Sequence, residues 1–172
     1  DGSGTQVVDS SLNGFDGTFN NGVAWATGLF GNTARFDGVD DHVTLGNAPS
    51  LSGKSNFTAS AWIKTSGDTN QVIIQQRNGG FNGQFQFRVN PDGTLAFYIY
   101  GNSAYQFNIA TSETVNDGQW HYVSAVRDGD DGYIYIDGNQ TPAATGNGPA
   151  RDLSSSIGMG IGRDIRDNNS PF

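Results

Sequence analysis

The sequence predicts an all-β fold in which two antiparallel sheets pack face to face as a sandwich. Short runs of alternating apolar and polar residues recur along the whole chain, and no run has the 3.6-residue period of an amphipathic helix. These runs are separated by clusters of Gly, Asn and Asp, which favour turns, and the chain holds 25 glycines. Roughly ten or more short strands at this spacing are typical of two packed sheets. Because we find neither an internal repeat nor a linker, we expect residues 1–172 to form one domain.

The predicted strands can be placed in order along the chain. Residues 1–22 are mainly loop, with one short strand and the turn sequence DSSLNGFDGTF. Further along, Gly, Asn and Asp clusters separate each strand from the next. The predicted strands are Gln6 to Asp9, Ala24 to Ala26, Thr33 to Phe36, His42 to Leu45, Phe57 to Lys64, Val72 to Gln76, Gln84 to Asn90, Thr94 to Tyr100, Tyr105 to Ala110, Trp120 to Arg127, Tyr133 to Ile136 and Ser156 to Gly162.

The clearest element is a β-hairpin over residues 84–100. Its strands QFQFRVN and TLAFYIY alternate in polarity, and the sequence PDG supplies a tight turn between them. Alternation places one set of side chains on a common face, which we expect to be buried: Phe85, Phe87, Val89, Leu95, Phe97 and Ile99. We also assign Trp62 and Trp120 to the core, because large aromatic side chains dominate the apolar surface that a core buries.

The charge balance excludes several classes of partner. The formal net charge is −8 and the nine Lys and Arg residues form no basic stripe, so we expect no nucleic acid and no anionic membrane as partner. No apolar run approaches the roughly 20 residues of a membrane helix, so we expect no membrane insertion. Glu113 is the one Glu among many Asp, and Cys is absent. This composition and the polar start DGSGT favour a mature extracellular protein, secreted or on the cell surface, stabilised by its core, a metal or assembly.

Two loops are rich in oxygen atoms that could bind a hard cation. The residues concerned are Asp9, Asn13 and Asp16 in the first loop, and Asp37, Asp40 and Asp41 in the second. Ca²⁺ takes roughly six to eight oxygen ligands from carboxylates, carbonyls and amides. The alternative is that these side chains hydrogen-bond their own backbone in solvated turns. A third acidic run, residues 128–131, is more simply the tip of a hairpin.

Several segments together resemble a known family. FDGVDDHVTL, FTASAWIK, DGQWHYVSAVRDGDDGYIYIDG and SIGMGIGRD are similar, in this order, to motifs of the concanavalin A-like, laminin G-like jelly-roll domains of bacterial and archaeal extracellular proteins. The turn DSSLNGFDGTF is similar to that family's Asp-Ser-Ser-Gly-Asn-Gly-Asn-His-Gly-Thr motif. The resemblance covers nearly the whole chain and implies a jelly-roll sandwich. Because that fold hosts lectins, glycan-binding modules, adhesive modules and glycosidases, it does not fix the function.

The resemblance also implies a structural calcium ion. In many relatives the ion is held between the N-terminal turn, the Phe-Asp-Gly turn and a C-terminal Asp-Glu pair. That Asp-Glu pair has no counterpart in this sequence, and we expect its absence to weaken or open the site. The expected ligands are Asp9, Asn13, Asp37, Asp40 and Asp41, of which Asp37 is the strongest candidate.

Relatives continue beyond the glycine-rich strand into a further strand of the type Phe-x-Gly-x-Ile-Asp-Glu-Val-Arg-Ile-Tyr, which has no counterpart in this sequence. A sandwich without that strand leaves unpaired backbone and an open apolar groove. Three explanations stay open: the sequence given stops short of the strand, a neighbouring subunit donates it, or the sheet closes in another way. Thr5 to Asp9 (TQVVD) is a candidate donor strand.

We expect no enzyme activity. Glycosidases on related jelly rolls carry Glu-x-Asp-x-x-Glu on one strand, which a chain with one Glu cannot provide. The nucleophile motif Gly-x-Ser-x-Gly is also absent, and we expect His42 and His121 to be isolated.

Aromatic and planar polar residues favour glycan binding. The predicted ligand-binding residues are Tyr98, Tyr100, Tyr105 and Arg88, and Trp25, Phe81 and Gln86 are of suitable types. The alternative is that these aromatic side chains belong to the core. We therefore expect a non-catalytic, calcium-stabilised recognition module that binds a glycan or a cell-surface ligand. The second hypothesis is a structural subunit of an extracellular filament, a homopolymer assembled by inter-subunit strand donation.

Overall fold

A computed structural model describes residues 2–46, 49–76, 83–154 and 158–162. These residues contain no helix, so the described part of the chain has no helix that is long and apolar enough to cross a membrane. They form fourteen strands. The strands are β1 (Gln6–Val7), β2 (Gly17–Asn20), β3 (Ala24–Gly28), β4 (Gly31–Arg35), β5 (His42–Leu45), β6 (Asn56–Lys64), β7 (Gln71–Gln76), β8 (Gln84–Val89), β9 (Thr94–Gly101), β10 (Ala104–Thr114), β11 (Trp120–Asp128), β12 (Asp131–Ile136), β13 (Ala144–Asn147) and β14 (Met159–Ile161).

The strands build two main sheets and one separate hairpin, and every pairing is antiparallel. The larger sheet has eight strands in the order β1-β2-β5-β14-β7-β8-β9-β10. The smaller sheet has four, in the order β13-β12-β11-β6, and β3 pairs only with β4. The predicted all-β sandwich is therefore confirmed, and so is the hairpin turn predicted at residues 128–131.

The β8–β9 hairpin supplies the centre of the core, as predicted. All six of its inward side chains are at most 1% exposed. They pack against the smaller sheet, where Val123 and Ile134 are fully buried, and Phe57 of β6 lies 5.2 Å from the Phe85 ring, centroid to centroid. Burying a side chain of this size stabilises a fold by about 1.5–3 kcal/mol, so the six buried side chains of this hairpin contribute strongly to the stability of the sandwich.

Two glycines of the smaller sheet let the layers approach. A Cβ atom added to Gly132 would lie 2.5 Å from the Phe107 ring, and one added to Gly146 would lie 2.4 Å from Ile109. Both distances are too short for a real contact. The larger β10 side chains therefore fill the space that these glycines leave.

The structure corrects several expectations. Trp62 is not a core residue, because β6 turns Phe57 and Ile63 inward and Trp62 outward, where it is 43% exposed. Trp120 is half-buried. Strands β2 and β13 were not predicted, since GTFN and ATGN are short and poor in strand-forming residues. Of the strand predicted over residues 156–162, residues 159–161 are observed, and residues 156 and 157 lie outside the described part.

His121, at the start of β11, is not isolated. Its Nδ1 lies 2.8 Å from Asp137 Oδ2, and its Nε2 lies 3.2 Å from Asp117 Oδ1. Burial lowers the pKa of His121, but hydrogen bonds to Asp137 and Asp117 and the charges of these carboxylates outweigh burial and raise the pKa above 6.5. The contribution of this cluster to stability is therefore complete below pH 6.5 and is lost as the pH rises through the folded-state pKa.

We predict that Asp137→Asn lowers the pKa of His121. Asn tolerates the positive φ of 54° at this position, and its side-chain oxygen can still accept the Tyr122 amide, so the turn should persist. The loss of stability should be larger at about pH 5.5 than at about pH 8.5. NMR titration of the imidazole gives the pKa, and urea unfolding gives the stability. An unchanged His121 pKa in the variant would contradict the prediction, and His42 serves as the internal reference.

Candidate functional site

The first candidate site is the acidic loop between β4 and β5. The Asp37 amide donates to Asp41 Oδ2 at 2.9 Å, and the Val39 amide donates to Asp37 Oδ1 at 2.8 Å, which folds the loop tightly. One oxygen from each of Asp37, Asp40 and Asp41 lies within 4.8 Å of the others. The loop therefore brings together all three carboxylates that the sequence singled out there.

Asp41 carries a feature that a solvated turn does not explain. Its side chain is 1% exposed, and its Oδ1 has no hydrogen-bond partner in the described part of the chain. A buried polar atom left unsatisfied costs about 1–3 kcal/mol. A Cβ added to Gly22 would lie 3.1 Å from this oxygen, so the glycine leaves space beside it. Buried carboxylate oxygens with free space beside them are the donors that Ca²⁺ prefers, and these residues fit the ion.

The other loop, residues 9–16, is closed on itself. Asp9 accepts the Ser11 amide at 2.8 Å, the Ser11 hydroxyl at 2.7 Å and the Phe15 amide at 3.1 Å. The hydrogen bond from the Ser11 hydroxyl is the largest of several that lower the pKa of Asp9. Asn13 donates to the Ser11 hydroxyl at 2.9 Å, and Asp16 accepts the Asp9 amide at 2.7 Å. These bonds are those of a self-stabilised turn, which was the alternative to metal binding.

The strand register separates these two loops. Strand β2 pairs with β5 so that Asn20 lies opposite His42 and Gly17 lies opposite Leu45. The acidic loop adjoins the Asn20 end, whereas the 9–16 loop adjoins the Gly17 end. With about 3.4 Å per residue, the two ends are about 10 Å apart. One ion bound by both loops, as the resemblance implied, does not fit this register.

The predicted ligand-binding residues meet on the outer face of the larger sheet. Tyr100 and Tyr105 are cross-strand partners whose ring centroids lie 4.9 Å apart, and Tyr98 lies 5.7 Å from Tyr105. Both ring pairs are T-shaped. Tyr105 is 51% exposed, while Tyr98 is 6% exposed. The three rings form a cluster, which we call the tyrosine cluster, that is open to solvent at Tyr105.

A row of polar side chains lies beside the tyrosine cluster. Arg88 donates from Nη1 to Gln86 at 3.1 Å and from Nε to Asn90 at 3.0 Å. Gln86, the cross-strand partner of Tyr98, donates in turn to Gln75 at 2.8 Å. This polar row was not predicted as a unit, because it joins two strands whose register the sequence does not reveal. Of the further aromatic candidates, Phe81 lies outside the described residues.

Trp25 does not join the tyrosine cluster. It packs on Phe19 at 4.8 Å and donates its indole N–H to the Gly4 carbonyl at 3.0 Å. It belongs to the small second core beneath the β3–β4 hairpin.

The third feature is an apolar cavity of about 1140 Å³ between β6 and the β3–β4 hairpin. Its floor is the larger sheet, with side chains such as Val43, Met159 and Ile161, and its walls include Ala61 of β6 and Ala34 of β4. We call this cavity the slot. Among the described residues, no strand pairs with the free edge of β6, and the hairpin pairs with neither sheet. The slot thus has the unpaired edge that an added strand requires.

Several solved structures share this fold. Domain 4 of AbnA, an extracellular GH43 arabinanase from Geobacillus stearothermophilus, in complex with arabinotriose, matches with a TM-score of 0.73 at 20% identity, over 95% of this chain and 81% of that chain. An S-layer domain-containing protein from Clostridium thermocellum matches with a TM-score of 0.55 at 25% identity, over 91% and 70%. The carbohydrate-binding module CBM66 from Bacillus subtilis matches with a TM-score of 0.51 at 16% identity, over 84% and 86%.

The sequence itself matches a family model. The match covers residues 37–172, which is well over half of the chain, and it includes the acidic loop, the tyrosine cluster and most of both sheets. The laminin G-like resemblance is thereby confirmed. This chain belongs to the concanavalin A-like lectin/glucanases superfamily, as a laminin G-like domain.

Proposed function

We propose that this domain is a non-catalytic extracellular module that binds a glycan at the tyrosine cluster. The observation that carries the proposal is the tyrosine cluster, open to solvent at Tyr105, with the Arg88 guanidinium beside it. Gln86 and Gln75 are at most 1% exposed, and their hydrogen-bonded row holds Arg88 in place. Aromatic faces with a few fixed polar groups are what a small-ligand site requires. Two relatives support the proposal, since one is an arabinanase domain solved with arabinotriose and another is a carbohydrate-binding module.

The geometry of the tyrosine cluster suits a pre-formed site. Tyr98 and Tyr100 both meet the Tyr105 ring edge-on, which restrains the exposed ring. Arg88 is likewise held by Gln86 and Asn90, and its remaining guanidinium N–H groups are still donors. Side chains that are ordered before binding lose little conformational entropy when the ligand arrives.

The three carboxylates of the acidic loop lie away from the tyrosine cluster. The acidic loop leads into β5, and three strand spacings separate β5 from β8 in the larger sheet. At about 4.8 Å per spacing, the acidic loop lies about 14 Å from Arg88 across the sheet. Both ring nitrogens of His121 already face carboxylates, so neither is available to activate a hydroxyl nucleophile. These placements support a binding role rather than a catalytic one.

We further propose that the acidic loop binds a structural Ca²⁺ through Asp37, Asp40 and Asp41. The ion would neutralise three carboxylates that otherwise repel one another. It would also satisfy the buried Asp41 Oδ1, which no described hydrogen bond reaches. Asp9 and Asn13 are left out of this proposal because their loop adjoins the other end of β2.

The slot favours a second candidate function, that of a subunit in an extracellular filament. An extended segment from a second copy could pair with the edge of β6 and cover the apolar floor of the slot. Thr5 to Asp9, the donor suggested by the sequence, is already engaged in this arrangement, because β1 pairs with β2. An extracellular location agrees with relatives that include an extracellular arabinanase and an S-layer protein.

We predict that Tyr105→Ala weakens glycan binding roughly fivefold, because the loss of one stacked ring costs about 1 kcal/mol. The measurement is isothermal titration with arabinotriose and xylotriose as probes. Leu12→Ala is the control, because this side chain is 94% exposed and lies beyond the opposite edge of the larger sheet. Equal affinities for the wild type and Tyr105→Ala would show that the tyrosine cluster is not the site.

We predict that calcium raises the melting temperature of the chelator-treated protein. At a concentration about 100-fold above Kd, binding adds about 2.7 kcal/mol, which corresponds to about 5–11 °C for a domain of this size. Asp41→Asn should abolish the shift, and Asp9→Asn should retain it. If calcium has no effect on the wild type, the metal proposal is wrong; if Asp9→Asn also loses the shift, the 9–16 loop takes part.

We predict that the wild type forms oligomers through the slot and that Ala61→Arg prevents them. The substitution places a charge inside the slot, whereas Ser60→Arg adds the same charge on the opposite face of β6 and serves as the control. Size-exclusion chromatography with light scattering measures the mass. A wild type that stays monomeric at all concentrations, or equal assembly of the two variants, would exclude strand donation.

A further inference from the structure

The outer face of the smaller sheet carries a second set of aromatic side chains. The register of β6 and β11 places Trp62 beside Tyr122, and the register of β11 and β12 places Tyr135 beside Ser124 and Tyr133 beside Val126. Alternation turns these residues away from the core. We call the surface they form the outer aromatic face, and its members are Thr58, Ser60, Trp62, Tyr122, Ser124, Val126, Tyr133 and Tyr135.

Aromatic exposure is concentrated on this face. Trp62 is 43% exposed, Tyr122 is 37% exposed, and their ring centroids lie 5.4 Å apart. Phe30, at the tip of the β3–β4 hairpin, is 80% exposed and meets the Trp62 ring edge-on at 5.7 Å. Of the large apolar side chains that are exposed in the described residues, these three gather at one place. Contiguous exposed apolar surface of this kind marks an interaction site.

The charged side chains around the outer aromatic face favour a neutral ligand over an anionic one. The outer aromatic face itself carries no charged side chain. Lys64 and Asp137 lie beyond its Trp62 and Tyr122 end, where Asp137 accepts the Tyr122 amide, and Asp128 and Asp131 lie beyond its Tyr133 end. The charge of Asp131 is the main reason that the pKa of Tyr133 is raised, so its negative field reaches this face. An anionic ligand would be repelled there, whereas a neutral ligand meets rings and the hydroxyl groups of Thr58, Ser60 and Ser124.

The shape of the face indicates an extended ligand. The tyrosine cluster and the slot are local features, but the outer aromatic face is the surface of three adjacent strands and lies open to solvent. Tyr133 and Tyr135 continue it along β12, with ring centroids 6.3 Å apart and planes inclined by 35°, while the planes of Trp62 and Tyr122 are inclined by 47°. Ring faces spread over a sheet can stack on the CH-rich faces of a ribbon-shaped sugar polymer, while the intervening hydroxyls meet its hydroxyls.

We propose that the outer aromatic face is a second glycan-binding surface, which adsorbs the domain to the surface of an insoluble, neutral, β-linked polysaccharide. This surface is independent of the tyrosine cluster, because the two lie on opposite outer faces of the sandwich. The domain would then hold a polymer surface on one side and a soluble chain on the other.

The test measures adsorption of the whole domain to microcrystalline cellulose and to chitin, with insoluble polygalacturonate as the anionic comparison. The wild type is expected to bind a neutral polymer and not the anionic one. Trp62→Ala is expected to reduce the partition coefficient roughly tenfold, as the loss of a central aromatic contact does. Leu12→Ala, an exposed position in the 9–16 loop, is the control and should adsorb like the wild type. Tyr133→Ala is the second variant should Trp62→Ala fold poorly.

Several results would overturn the proposal. They are a wild type that adsorbs to neither neutral polymer, equal adsorption of wild type, Trp62→Ala and Tyr133→Ala, or stronger binding to the anionic polymer. Dimerisation that Trp62→Ala abolishes, without any adsorption, would show instead that this face joins two copies of the chain. If Tyr105→Ala binds the trisaccharides as tightly as the wild type, the tyrosine-cluster proposal is wrong, but the adsorption measured for Trp62→Ala is unaffected. The two proposals therefore fail separately.

Discussion

The alternation of the β8–β9 hairpin is the constraint on which the rest of the structure depends. Its six inward side chains are nearly inaccessible, and a slip of one residue would expose all of them. The same register fixes the outward side chains, so the packing of Phe97 and Ile99 is also what places Tyr98 and Tyr100 beside Gln86 and across from Tyr105. The outward residues set by this hairpin are Gln84, Gln86, Arg88, Ala96, Tyr98 and Tyr100.

Alternation also divides the side chains of the smaller sheet into an inward and an outward set, but here the inward set includes small residues. Inward Ala59 and Ala61 lie on the same face of β6 as the larger Phe57 and Ile63, and two glycines admit the β10 side chains. In β6 the small side chains of Ala59 and Ala61 face inward, and the large side chain of Trp62 faces outward. Both outer faces of the sandwich therefore bear aromatic side chains, and on each face the strand register that places the inward core residues also places the outward rings.

Local pattern predicted much of this structure, and long-range register accounts for what it missed. The core face of the β8–β9 hairpin, the turn at residues 128–131 and the three carboxylates of the acidic loop follow from spacing within a few residues. The exposure of Trp62 was not predicted, because the alternation of FTASAWIK does not say which face is inner. Likewise, the separation of Asp9 from Asp37 depends on how β2 pairs with β5, a pairing between residues more than 20 positions apart. The pairing of His121 with Asp137 likewise joins β11 to the turn that follows β12.

The acidic loop connects the β3–β4 hairpin to the larger sheet. It connects β4, which lines a wall of the slot, to β5, which lies in the floor, and Gly162 packs closely against it next to Phe36 and the Asp41 carbonyl. An ion bound to Asp37, Asp40 and Asp41, as proposed, would therefore fix the angle between the hairpin and the larger sheet. Because the same loop would hold the wall and the floor of the slot, calcium binding and strand addition would be coupled through the six residues between β4 and β5, even though the ion itself would touch neither the strand nor a glycan.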